Sequence, residues 1–372
     1  MHPQTQFCQN NDCPARGRTG KGNILVHSKK EQRYRCKVCG RTFTKSKGTV
    51  FFRMKKDPEL VVIVITLLSY GCPIPAIVAA FRLDVRTVRA WLKKAGQHCQ
   101  GVHEHFLQQQ TLDLGHVQAD EIKVKTQSGW IWMAMAMMVS TRLWLGGAVS
   151  AKRNLALITE LVTQIRSVAL CRKLLLSVDG LKSYVKAFQK AFRSPFRSGN
   201  MGRPKMIAWQ EIVIVQVVKK KTAGQFSVQR RIVQGCQEVV NNLLQSSQGG
   251  GGINTAFIER LNATFRQRLS VLARRTRNLA RKSDTLHAGM FMVGCVYNFC
   301  TFHKSLRLPL YIGERSRKWV QRTPAIAVGW TDHRWSVMEL LVFKVPPTPW
   351  SPPVRMGRPS KAILSLILEW CS

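Results

Sequence analysis

Apolar and polar positions change rhythm repeatedly along the chain. From Asp57 the pattern is helical. Asp57-Pro-Glu59 supplies an N-cap, a first-turn proline and an acid that complements the helix dipole, and the helix it opens is expected to run to about Tyr70, where Gly71 stops it. A short helix is expected over 75–81, and after the turn at Arg82–Asp84 a third over 85–95. In that third helix Val85, Val88, Leu92 and Ala95 share one side. Arg86, Arg89 and Lys93 share the other, the pattern of a helix-turn-helix recognition helix. From about Leu114 the rhythm becomes that of strands. Val117–Asp120 continues through Ile122–Val124, Gln127-Ser-Gly129 is a turn signal, and Trp130–Ser140 and Leu143–Ser150 follow. The helical rhythm then returns over 154–169. Lys173–Asp179 is apolar almost throughout, as buried parallel strands are, and a helix is expected over 181–192.

Three antiparallel strands, a helix, a parallel strand and a helix is the order of a ribonuclease-H-like domain. The expected fold class is therefore mixed α/β. A small cysteine-bearing module over 1–54 and a helix-turn-helix over 55–100 precede a catalytic domain over 110–305. Residues 193–253 read as an insertion carrying strands at 207–219 and 226–233, and 306–372 as a C-terminal segment with a proline-rich arm. Pro346–Pro359 holds six of the fifteen prolines, and Ala362–Trp370 reads as a terminal helix that docks on a partner.

Charge narrows the function. Lys and Arg number 58 against 19 Asp and Glu, a formal net charge of +39 in 372 residues. An ordinary metabolic enzyme is excluded as the first reading, and a polyanion, most simply nucleic acid, is the expected partner. A hydrophobic content of 45% excludes a disordered basic tail. The longest apolar runs are too short to span a bilayer, and the N-terminal residues carry no apolar signal region, so a cytoplasmic protein is expected.

Four of the eleven cysteines form a pattern. Cys8 and Cys13 make one pair. Cys36 and Cys39 make the other, within Tyr34-Arg-Cys-Lys-Val-Cys-Gly40. A Cys-x2-Cys-Gly turn is a zinc knuckle, and four thiolates fill the tetrahedral shell of Zn²⁺, which makes the expected site structural. Lys and Arg residues crowd around it, suited to phosphate.

Acids are scarce where chemistry would need them. Between Ile122 and Ile258 there are only Glu160, Asp179, Glu211 and Glu238. Asp120 lies in the first strand of the middle domain and Asp179 ends the fourth, and neighbouring strands would bring both to one point. Glu259 lies on a helix whose stripe Leu261, Phe265, Leu269 and Leu272 faces the core, with Asn262 and Arg266 on the same flank. Three hard oxygen donors suit Mg²⁺ (or Mn²⁺). Glu121 points to the other face of its strand and ranks well below Asp120. Lys219-Lys-Lys221, Arg230-Arg231 and the run Arg266, Arg268, Arg274, Arg275, Arg277, Arg281 and Lys282 are expected to track DNA backbone. Gly202-Arg-Pro204 and Gly357-Arg-Pro359 are weak candidates for minor-groove hooks.

With these residues in place the chain resembles the DDE transposases of bacterial insertion sequences, in particular the group with an N-terminal zinc ribbon and helix-turn-helix. The matching pieces are Tyr34–Phe43, Gln118–Glu121, Leu175–Gly180, Asn254–Arg268, Val296–His303 and the stretch from Arg322 through Leu341. The resemblance implies a triad of Asp120, Asp179 and Glu259 holding two metal ions, and DNA strand cleavage followed by strand transfer. It implies recognition of terminal inverted repeats in double-stranded DNA by the front of the chain, and a phosphate or base grip for Arg266. Paired element ends imply a homodimer or higher oligomer. Two other readings account for part of the chain: a non-catalytic DNA-binding regulator using residues 1–100, and a basic RNA-binding zinc protein. Neither gives the middle domain's acids a task.

Overall fold

The computed structural model describes residues 1–127, 129–197, 202–222, 225–273, 279–280, 282–312, 316–352 and 359–370. Arg274, Arg275, Arg277, Arg281, Gly357 and Arg358 lie outside these. The chain divides into two compact units, 1–58 with 341–372, and 59–340.

The first unit is built on a three-stranded antiparallel sheet in the order β1 (Ile24–Ser28), β2 (Arg33–Cys36), β3 (Thr42–Thr44). Tyr34 and Phe43 pair across β2 and β3, and their rings stack with centroids 5.7 Å apart. The sheet is too small to make a core alone. Cys8, Cys13, Ala15, Ile24, Tyr34, Cys36 and Phe43 form a buried cluster that is completed by Trp370 and Leu366 of the helix Lys361–Trp370. Arg18 fastens that helix by donating from Nε and Nη2 to the Trp370 carbonyl at 3.1 and 2.6 Å. Arg16 holds the proline-rich stretch through the carbonyls of Thr348 and Pro349. The terminal helix, expected to meet a partner, thus packs on its own chain.

The second unit opens with α1 (Pro58–Ser69), α2 (Ile74–Phe81) and α3 (Val85–Gln109). Arg82 leaves α2 with φ +52°, the left-handed geometry of a helix end. Asp84 caps α3 by accepting from the Arg86 amide at 2.7 Å. The third helix was expected to stop at 95 but continues for fourteen more residues, because Cys99, Val102, His103, Phe106 and Leu107 extend its buried stripe. Gly96 lets it approach closely: a Cβ there would fall 2.3 Å from the Ala288 carbonyl oxygen.

A six-stranded mixed sheet lies at the centre. Its strands are β4 (His116–Thr126), β5 (Gly129–Met138), β6 (Trp144–Ser150), β7 (Leu174–Asp179), β10 (Ile212–Thr222) and β11 (Gln225–Gln234), in the order β11-β10-β7-β4-β5-β6. The segments β4, β5 and β6 run antiparallel; β7 is parallel to β4 and β10 parallel to β7, while β11 turns back on β10. Two strands from the stretch expected as an insertion therefore belong to the central sheet. The expected strand at 207–219 is divided between β9 (Lys205–Ala208), which pairs with β8 (Arg193–Phe196), and β10; the break falls at Trp209-Gln-Glu211. A last hairpin joins β12 (Leu308–Ile312) to β13 (Ser316–Val320).

Helices cover both faces of the sheet. Neighbouring glycines of β6 show this directly. A Cβ on Gly146 would meet Gln164 of α4 (Leu155–Val168), and one on Gly147 would meet Met290 of α8 (Ser283–Cys295). The chain's α5 (Lys182–Ala191) shares the α4 face, where Tyr184 reaches Glu121. On the other face lie α6 (Gln237–Ser246), α7 (Ala256–Arg268) and α8. There Leu175, Val213, Val215 and Val217 pack under Val240, Leu243 and Leu244 of α6. Among the described residues, no helix is long and apolar enough to cross a membrane.

Candidate metal centres

The four cysteines of the first unit converge. Cys8 Sγ lies 3.6 Å from Cys39 Sγ, and Cys13 Sγ 3.8 Å from Cys36 Sγ. A tetrahedron of thiolates around Zn²⁺ with bonds of about 2.3 Å has edges of about 3.8 Å, so the donor set fits that ion in chemistry and spacing. All four ligand atoms lie within 4.8 Å of one another. Gly40, at φ +69°, closes the knuckle and donates its amide to the Cys36 carbonyl at 2.9 Å. Burial pushes the Cys8 thiol up to about 12 and raises Cys13 as well. Burial also opposes ionisation of Cys39, but the Arg41 amide and the neighbouring thiols outweigh it and lower its pKa. Cys8 and Cys13, which ionise reluctantly by themselves, are thiols whose burial a divalent cation would relieve.

In the second unit the parallel pairing of β4 with β7 puts Ala119 opposite Val178, so Asp120 and Asp179 leave adjacent strands side by side. The carboxylates of Asp120, Glu121 and Asp179 all lie within 4.8 Å of one another. Asp120 faces α7 and accepts from Asn262 Nδ2 at 2.8 Å. Glu121 faces α5, where Tyr184 Oη donates to it at 2.8 Å. Alternation along β4 thus puts the two side chains on opposite faces, as the sequence reading expects, yet Glu121 still joins the cluster. Arg153 explains how this is tolerated. Its guanidinium bridges Glu121 and Asp179, at 2.8 Å from the latter.

Glu259 is not in that group of three. It sits on the first turn of α7, one turn before Asn262, and accepts from Lys219 Nζ at 2.5 Å and Thr255 Oγ1 at 2.8 Å. Burial works against its ionisation, but the Lys219 and Thr255 hydrogen bonds prevail and lower its pKa. Asp120 moves the other way, pushed up to about 7 by burial and by the negative charges of Glu121, Asp179 and Glu259. Burial likewise raises Glu121, aided by Asp179. Asn262 is 2% exposed and its Oδ1 accepts no hydrogen bond, an unused hard oxygen beside Asp120. Clustered carboxylates and that orphaned oxygen form a donor set that suits a hard divalent cation.

Gln118, two residues before Asp120, is the residue that sequence reasoning overlooked. It is fully buried. Its Oε1 accepts from the amides of Phe257 and Ile258 at 3.0 Å each, and its Nε2 donates to the Asn254 carbonyl at 2.9 Å. It caps α7 from a neighbouring strand and so fixes Glu259 and Asn262 relative to Asp120. Asn254 supports the same turn, donating to the carbonyls of Gly249 and Gly252. A polar residue at an inward strand position was the available signal.

Of the residues expected at DNA, Arg86, Arg89 and Lys93 are all exposed on α3. Arg266 is half-buried. Arg268 is buried, with its guanidinium 4.7 Å from the Tyr70 ring centroid and donating to Thr301 Oγ1 at 3.2 Å. Lys219 holds Glu259, Arg230 donates to the Ile253 carbonyl and Arg231 to Gln216. These last four cations are engaged inside the unit. In comparisons with known protein families and with curated proteins, the sequence matches no family model and no curated relative.

Proposed function

We propose that this protein is a DNA transposase of the DDE type: a zinc ribbon, a helix-turn-helix formed by α1–α3, and a ribonuclease-H-like catalytic domain around the six-stranded sheet. The observation that carries the reading is the meeting of Asp120 and Asp179 on adjacent strands, with α7 tied to Asp120 through Asn262, in a chain of net charge +39. Arg153 and Lys219 already pair with Glu121, Asp179 and Glu259, and a divalent cation with a phosphate would draw on the same gathering of carboxylates.

Asp120, Asp179 and Glu259 would hold Mg²⁺ or Mn²⁺, which when bound supplies Lewis acidity to a phosphodiester and makes water a stronger nucleophile. The chain's own residues do the rest. Lys219 keeps Glu259 ionised and aimed from α7. Tyr184 and Arg153 brace Glu121 and Asp179. Asn262 orients one Asp120 oxygen. Hydrolysis at an element end leaves a 3′-hydroxyl and a 5′-phosphate. In the second reaction that hydroxyl attacks a target phosphorus in line, and the target's own 3′-oxygen leaves. Exposed Arg86, Arg89 and Lys93 on α3 are suited to a DNA groove, and two ends held together favour a symmetric dimer.

Asp179→Asn and Glu259→Gln should each abolish Mg²⁺-dependent cleavage of DNA bearing the element's ends, while binding of that DNA persists. Cleavage that survives either change rejects the assignment.

A further inference from the structure

The hairpin joining β4 to β5 is covered on one side and open on the other. Toward the helices, Ile122, Val124, Thr126, Met133 and Met135 are buried. Cross-strand pairing sets Lys125 against Trp130 and Lys123 against Trp132, so these four share the opposite face with Glu121. Lys123, Lys125 and Trp130 are exposed and Trp132 half-buried. Lys123 Nζ lies 3.9 Å from the Trp130 ring centroid and 5.8 Å from that of Trp132, and the Arg153 guanidinium 5.1 Å from Trp132. Arg153 in turn bonds Glu121 and Asp179. Aromatic and cationic side chains therefore alternate in one stripe from the hairpin tip to the carboxylates. The one acid of the stripe, Glu121, is already neutralised by Arg153.

A tryptophan left 49% exposed does not serve the core. Rings interleaved with cations are what successive unpaired bases and their phosphates require: the rings stack on bases of any sequence, and the cations take the backbone. From the level of Trp130 to that of Glu121 is four residues of strand, about 14 Å, the rise of about four stacked nucleotides. We propose that this face is a stacking platform for unpaired DNA, which guides a single-stranded or frayed end toward the Asp179 side of the carboxylate centre. The proposal rests on the reading of that centre as one that acts on DNA.

The test uses the full chain with its zinc, in buffer without added divalent cation, and compares a blunt duplex with the same duplex carrying a four-nucleotide single-stranded overhang. Wild type should bind the overhang DNA more tightly. Trp130→Ala should weaken overhang binding by about tenfold and blunt binding by less than about twofold, and Trp130→Phe should restore most of the loss. Equal loss on both DNAs, no loss on either, or a wild type without overhang preference overturns the platform. A protein that prefers overhangs but whose Mg²⁺-dependent cleavage survives Asp179→Asn overturns the reading of the centre instead.

Discussion

Removing the hydrogen-bonding head of Gln118 should loosen α7 without touching any carboxylate. Gln118→Ala orphans the buried Ile258 amide and the Phe257 amide, and frees the Asn254 carbonyl. A buried donor left unpaired costs about 1–3 kcal/mol, and a lost helix cap about 1 kcal/mol. The total expected is about 2–4 kcal/mol, a fall in melting temperature of roughly 3–7 °C for the unit 59–340 at about 2.1 cal/mol/K of unfolding entropy per residue. Gln118→Met keeps the side chain's shape and removes only its polarity, so it isolates the hydrogen bonds from the cavity left by alanine. Both variants should be followed by thermal unfolding of the zinc-loaded protein. On the proposed function, because α7 carries Glu259 and Asn262, DNA cleavage should fall further than DNA binding in both. A Gln118→Met protein that melts within about 2 °C of wild type and cleaves normally would refute the view that this residue ties the helix to the strand.

Two further outcomes are expected in the first unit. Cys36→Ser should abolish bound zinc, measured by elemental analysis, and leave the sheet β1–β3 unfolded as seen by amide exchange. Trp370→Ala should cost about 3 kcal/mol, because the ring belongs to the cysteine-bearing core; the readout is faster zinc transfer to a chromogenic chelator.

The strand that ends at Asp179 was legible because Leu174, Leu175, Leu176 and Val178 make a nearly unbroken apolar run, the signature of burial on both sides of a sheet, and the strand of Asp120 because the turn signal Gln127-Ser-Gly129 and an apolar strand follow it. The helices α1, α2, α4 and α5, the strands β5, β6, β7 and β11 and the terminal helix match to within a residue or two, whereas the core stripe expected on the helix of Glu259 runs to Leu272, four residues past the end of α7. Less was legible where tertiary contact decides. α3 outruns its expected end because α8 packs along it at Gly96, a partner nearly 200 residues away in sequence. Face alternation correctly separates Glu121 from Asp120 but cannot report that Arg153, from the loop after β6, pulls Glu121 and Asp179 onto one guanidinium. Glu259 was expected beside the other two acids; it lies outside their 4.8 Å group, held by Lys219, a cation contributed by β10, whose place next to β7 no local pattern reveals. Arg268 reads as a surface cation in a basic run, yet Tyr70 offers it an aromatic face.

The helix that shelters the cysteine cluster has a consequence for synthesis. Cys39 leaves the ribosome 322 residues before Lys361, which at about 5–20 residues per second is a wait of roughly 15–65 s. Throughout that interval the nascent sheet lacks its Leu366 and Trp370 roof. A zinc ion that arrived in that interval would meet a half-covered thiol nest, and the terminal helix would close over it only as synthesis ends.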